Sequence, residues 1–159
     1  MHITFAPKGI LQIDDARIVY RNFAGAASQY NRAGDRNFAV VIPDQDQADA
    51  LIEKGWNVKI KPPRDADDSP FMYIPVKIAF NDYGPTVYLK SGNRTVKLSE
   101  DNVECLDNID ILSVDMDLRP YDWERPDGRS GRSAYLQSIR VIQKLDRFAP
   151  DYDDDLPIE

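Results

Sequence analysis

Cysteine and histidine are nearly absent from this sequence. Cys105 and His2 are the only examples in 159 residues. A lone cysteine excludes an internal disulfide and a cysteine-based zinc site. A lone histidine beside the initiator Met leaves no partners for a Cys-His or Ser-His triad. Long apolar runs are missing too. None approaches the ~18 residues of a membrane-spanning helix. The opening Met-His-Ile-Thr-Phe-Ala-Pro-Lys lacks the apolar segment of a signal peptide. There is no phosphate-binding Gly-rich loop and no Gly-x-Ser-x-Gly elbow. Asp115-x-Asp117 puts two carboxylates on one strand face, with Asp67-Asp68 in a loop. No Lys or His stands at a fixed spacing to complete a metal-dependent nuclease site. A non-enzymatic protein without metal, cofactor or membrane association is expected, and low cysteine use fits a reducing cytoplasm.

The hydrophobic fraction of 42% and the charged fraction of 30% are those of a globular protein, and the length allows one core. Charge is unevenly placed. The net −7 comes from 27 acids and 20 bases. Asp151–Glu159 holds five of those acids and no base, which leaves 22 acids against 20 bases in the body, or −2. A near-neutral body can still bind an anion through bases gathered on one face. The final segment, Asp-Tyr-Asp-Asp-Asp-Leu-Pro-Ile-Glu, has too little apolar surface to offset the entropy of ordering. It is expected to be disordered, with Leu156 and Ile158 as apolar anchors of a docking peptide steered by charge. A purely solubilising tail would share this composition. The expected organisation is a folded domain over 1–148 and an acidic tail over 149–159.

Most of the body has period-two patterning. Arg17–Phe23 and Arg36–Ile42 read as strands rich in β-branched and aromatic residues. The polar stretch 24–35 between them reads as a long connection. Asp44–Lys54 reads as a helix, with Asp44 as N-cap, Gln47 completing a capping box, an Ala48/Leu51/Ile52 stripe and Gly55 after the end. Trp56–Lys61 and Phe71–Phe80 read as strands around a Pro-rich loop, and Pro75 calls for a sheet edge or a bulge. Thr86–Lys90 and Arg94–Leu98 form a hairpin, and Ser99–Asn108 holds a short helical turn. Ile111–Arg119 alternates with Leu112, Val114, Met116 and Leu118 inward, and Ser133–Leu145 is a long final strand or a strand-bulge-strand. Seven or eight short strands and one helix predict a mainly β fold: an OB-type barrel with one short helix and extra hairpins.

The outward positions of these strands carry the candidate chemistry. They include Lys59, Lys61, Tyr73, Lys77, Tyr88, Lys90 and Lys97, with no acid among the outward residues of those strands. Lysines neutralise phosphates, and flat Tyr rings stack bases whatever the sequence. A solvated sheet face also favours Lys and Tyr, so both readings stand for any single residue. A second basic and aromatic group surrounds Gly128 and Gly131: Tyr121, Trp123, Arg125, Arg129, Arg132 and Tyr135. It suits either a groove rim or a hairpin with Trp123 on the core. Arg132 and Tyr135 join the candidate single-strand contacts. Arg21 and Arg36 fit phosphate contacts or structural pairs.

The tip Asp153-Asp154-Asp155-Leu156-Pro157-Ile158 resembles the C-terminal tip of single-stranded DNA-binding proteins, often Asp-Asp-Asp-Ile-Pro-Phe. Glu159 departs from that pattern, in which the aromatic residue is terminal. The strands Arg36-Asn-Phe-Ala-Val-Val-Ile42, Phe71-Met-Tyr-Ile-Pro-Val-Lys77 and Tyr135-Leu-Gln-Ser-Ile-Arg140 resemble those of the small single-domain proteins of tailed bacteriophages. The resemblance implies an OB fold and sequence-independent binding of single-stranded DNA in replication or recombination. It also implies a tail that competes for the basic face and recruits replication or recombination proteins. Expected partners are therefore single-stranded DNA, those proteins, and a second copy in a homodimer, all in the bacterial host's cytoplasm. A phage structural component or an acidic DNA mimic is the alternative.

Overall fold

A computed structural model describes residues 1–82 and 84–145; the predicted tail and its boundary lie outside them. The strands are β1 (His2–Phe5), β2 (Leu11–Ala16), β3 (Ile18–Asn22), β4 (Arg36–Ile42), β5 (Lys59–Lys61), β6 (Phe71–Ile78), β7 (Thr86–Ser91), β8 (Arg94–Leu98), β9 (Ile111–Glu124) and β10 (Ser130–Gln143). One α-helix, α1 (Gln45–Glu53), and a 3-10 turn at Val103–Asp107 add to them. Sequence reading found neither β1 nor β2.

β2 and β3 set the architecture. Leu11, Ile13 and Ala16 face inward, but Asp14 and Asp15 are both exposed and break the alternation. Asp15 takes φ 54° where the register against β9 shifts. That is a bulge, which adds a residue and bends the strand. After Arg17 the chain leaves β9 and pairs with β4 as β3, and Arg17 O accepts from Val41 N. The ladder then runs β3, β4, β6, β10, β9 and back to β2. Its two flanks are thus consecutive lengths of chain. Taken as one bent strand followed by β4, β6, β9 and β10, this is an OB-like mainly β fold.

β10 splints two strands at once. It runs parallel to β6 at Ala134 and Tyr135, then parallel to β7 from Ser138 to Ile142. The register shift between Leu136 and Ser138 marks the crossing. On the same flank β6 pairs with β5 only as far as Tyr73 and with β10 only from Val76. Pro75, which has no N–H to donate, lies in that gap.

Inward residues of all five long strands meet in one core, including Ile13, Val40, Ile74, Leu118, Leu136 and Val141. Phe23 and Phe38 stack within it at 5.3 Å. Each such side chain contributes about 1.5–3 kcal/mol by leaving water. Leu112, expected inward, is 66% exposed. Ile142 pairs with Ser113 and Gln143 with Ile111, so Leu112 is the extra residue of a bulge and turns out.

Asp44 caps α1 by accepting from Gln47 N at 2.8 Å. Gly55 at φ 90° ends it, with Trp56 N bonded to Leu51 O and Gly55 N to Ile52 O. The other half of the expected capping box does not form: Gln47 Nε2 donates instead to Met1 O. Ala48 and Leu51 are buried, but Ile52 is exposed. The strand expected over Trp56–Lys61 is confined to Lys59–Lys61, because Trp56 turns into the core.

Candidate nucleic-acid interface

The outer face of β4 and β6 is the centre of the site. Across β6 the outward residues are Phe71, Tyr73, Pro75 and Lys77, each between two buried neighbours or at the strand start. Lys61 pairs with Phe71 and Lys59 with Tyr73 on one side. Asn37 of β4 pairs with Lys77 on the other, and Tyr135 of β10 pairs with Lys77 on the first side. Pairing in register puts these side chains on one surface.

At one end Tyr20, Phe71 and Tyr73 form a cluster, with ring centroids 5.5 to 6.2 Å apart. Tyr20 sits where the β3–β4 register shifts, at φ 54°. Side chains seldom take that conformation, and here it carries the ring to β6, one strand beyond β3's own partner. Tyr20 stays 55% exposed. Lys61 Nζ lies 4.9 Å from its ring centroid and donates to its hydroxyl at 2.9 Å. That hydrogen bond holds the Lys61 ammonium above its ordinary pKa, so it stays cationic at neutral pH.

Four residues along β6, roughly 13 Å at strand rise, a second cluster forms. Lys77 Nζ and Arg119 Cζ lie 5.9 and 5.4 Å from the Tyr135 ring centroid. Tyr121 meets Tyr135 edge-on at 6.0 Å. Arg119, Tyr121 and Trp123 of β9, and Arg125 just after its end, continue this face past the body of the sheet. Arg125 sits 5.2 Å from the Trp123 ring. Trp123 lies flat on Gly131, where any Cβ would come within 2.6 Å of the indole. Trp123 therefore packs on the hairpin and not on the core.

The connection 23–35 closes a third side. Asn31 Nδ2 donates to the carbonyls of Ala26, Arg32 and Asp35, and its Oδ1 accepts from Asn37. These bonds present Tyr30, 89% exposed, at the tip. Between the loop and the sheet a cavity of about 520 Å³ is lined by Asn31, Arg32, Asn37, Lys77 and Tyr135 among others.

Of the residues singled out in sequence, the structure brings together Lys59, Lys61, Tyr73, Lys77 and Tyr135. It sets Tyr88, Lys90 and Lys97 apart, on the β7–β8 hairpin. Tyr88 pairs there with Lys97 and Arg140. It shares a small cavity with Asp14, Asp115 and Asp117, so that end is mixed in sign. Burial alone would raise the Asp115 carboxyl, but the Asp15 N–H and Arg140 hydrogen bonds outweigh it and hold the pKa below its ordinary value. No group of carboxylates, His or Cys that could hold a metal occurs among the described residues. Arg21 donates to the Leu106 and Ile109 carbonyls and Arg36 to that of Phe23, so both serve the fold. Arg132 is bound on the far side of the hairpin, by Asp122, Lys54 O and the Trp56 ring. Sequence reading missed Tyr20, Tyr30, Phe71 and Arg119. The alternation that put Tyr73 outward also put Phe71 there, and Arg119-x-Tyr-x-Trp-x-Arg125 is a visible period-two run. The bulge that aims Tyr20 leaves no comparable mark.

The sequence matches the phage ssDNA-binding domain family over residues 3–158. No curated protein sequence gives a match. Among solved structures, the single-stranded DNA-binding protein from bacteriophage Enc34 is similar at a TM-score of 0.58 and 14% identity, covering 92% of this chain and 87% of that one. Its C-terminal truncation gives a TM-score of 0.54 at 17% identity, with 91% of each chain covered.

Proposed function

The chain belongs to the phage ssDNA-binding domain family, and we propose that it holds single-stranded DNA in the groove running from Tyr20 and Tyr73 to Tyr135 and the β9–β10 hairpin. One observation carries this reading. Five aromatic rings (Tyr20, Phe71, Tyr73, Tyr135, Tyr121) and the cations Lys61, Lys77 and Arg119 share one continuous surface. The rings offer π-faces that any base can stack on. The cations neutralise phosphates without reading sequence. The bases of an unpaired strand are free to stack, whereas a duplex hides them, so the groove favours single strands. In this reading the protein coats strands exposed in replication or recombination, in the host cytoplasm. The segment Asp153-Asp154-Asp155-Leu156-Pro157-Ile158 docks on partner proteins and, when free, competes for the basic groove.

Titration of labelled oligo-dT against the matching duplex tests the first part. Tight oligo-dT binding that weakens steeply with salt, and weaker duplex binding, is expected. Duplex preference, or affinity indifferent to salt, refutes it. Removing 151–159 takes away five negative charges, so oligo-dT binding is expected to hold or tighten at low salt. Weaker binding after truncation refutes the competing-tail reading.

A further inference from the structure

The β9–β10 hairpin leaves the sheet as a ribbon that, among the described residues, has no flanking strand. β2 accompanies β9 only up to Leu118, and β6 accompanies β10 only from Ala134. Tyr121–Glu124 and Ser130–Ser133 therefore pair, among the described residues, only with each other. A two-stranded ribbon is marginal alone and free to swing, yet this one carries Arg119, Tyr121, Trp123 and Arg125 on its groove side. On its reverse side Pro120 packs against Gly9 at the root, and further out there is one polar attachment. Arg132 Nε and Nη2 donate to the two carboxylate oxygens of Asp122, at 2.6 and 3.1 Å. Its Nη1 donates at 2.9 Å to Lys54 O, the C-cap of α1, where the helix presents negative carbonyl ends. The guanidinium plane covers the Trp56 ring at 5.3 Å, and Trp56 is core. Beyond the Pro120 contact, both ribbon strands are thus tied to the body through one side chain facing away from the groove.

We propose that Asp122 and Arg132 form a clamp that holds the ribbon in line with the groove, so that an acidic residue supports the binding of an anion. This rests on the groove being a single-strand site. Arg132 is then a positioning residue and not a phosphate contact. The fork of Arg, not its charge, is what fits the carboxylate, the carbonyl and the indole together. The lowered pKa of Asp122, due first to the hydrogen bond from Arg132, agrees with a formed pair.

The test uses the full chain and fluorescein-labelled oligo-dT, with anisotropy read from 50 to 500 mM NaCl. Wild type, Asp122→Asn, Arg132→Ala, Arg132→Lys and the Asp122→Asn/Arg132→Ala double variant are compared, each checked for an unfolding midpoint near wild type. A ribbon out of line forfeits at least one stacked base, so D122N is expected to weaken binding about fivefold or more although it removes a negative charge. R132A and R132K are expected to match that loss with the wild-type salt slope. The double variant should be no worse than the poorer single one, because both act on one clamp. If either single variant loses its fold, the other carries the same comparison. Binding by D122N equal to or tighter than wild type overturns the proposal. So does a fall of about 0.7 in the salt slope of R132A, the mark of a lost phosphate contact. Wild type that fails to bind oligo-dT overturns the groove itself, and the clamp's role with it.

Discussion

Lys77→Ala gives the sharpest single measurement on this groove. Lys77 is exposed at the middle of the face, between Asn37 and Tyr135. Its ammonium meets the Tyr135 ring at 5.9 Å and no carboxylate within ion-pair distance among the described residues. It is therefore available to a phosphate. One contact of this kind to a single strand adds about 0.7 to the slope of log affinity against log salt. Extrapolated from 1 M salt, losing it weakens binding about eightfold at 0.05 M but only about threefold at 0.2 M. Two straight lines that converge toward high salt are expected from anisotropy titrations with oligo-dT. Tyr135→Ala, one residue away in space, should behave otherwise. Stacking contributes about 1–3 kcal/mol per base and involves no counterion, so its line should drop by about 5- to 150-fold and stay parallel to wild type. A Lys77→Ala line parallel to wild type refutes the assignment of Lys77 to phosphate, however large the drop.

Other outcomes follow from the same coordinates. Tyr20→Ala and Tyr73→Ala should each weaken oligo-dT binding by about 1–3 kcal/mol while the unfolding midpoint stays near wild type; a large loss of midpoint would assign these rings to the fold. Phe38→Ala removes one of the two stacked core rings and should cost about 3–5 kcal/mol in chemical denaturation, with DNA affinity of the folded fraction intact. Asp115, Asp122 and Asp127 have folded pKa values below the ordinary carboxyl value. Their contribution to stability is complete above about pH 4 and fades as pH falls through the lowered values. Denaturation followed from pH 7 to pH 2 should show that decline, and stability flat across the acid range would contradict it.

What could be read from the sequence, and what could not, divides on local against non-local cause. The limits of β4, α1 and the β7–β8 hairpin were legible because alternation, an Asp cap and a Gly stop act within a few residues. The mainly β character and the outward placing of Tyr73 and Lys77 followed from the same alternation. The bulges at Asp15, Tyr20 and Leu112 were not legible, since each is fixed by a partner strand far along the chain. They account for the misplacing of Leu112, the missed β2 and the missed role of Tyr20. Whether outward residues on different strands share a surface was also hidden. Lys77 and Lys97 look alike in sequence, yet one stands beside Tyr135 and the other pairs with Tyr88, whose cavity is lined by three aspartates. Arg132 reads as one more exposed base until Trp56 and Lys54 O are found under it.

The parallel splint made by β10 also has a consequence for how the protein comes into being on the ribosome. β4 and β6 emerge early, but their flank opposite β3 is filled at Val76 and Lys77 only by residues 134 and 135. Tyr135, Arg119 and Tyr121 reach the groove only when that late hairpin arrives. A nascent chain halted before residue 134 has its first aromatic cluster but, of its second, only Lys77 in place. Such non-local pairing is slow to form. A half-made molecule of this kind should have a weakened grip on DNA near its own site of synthesis, and the groove should be completed in one step as the last strand docks.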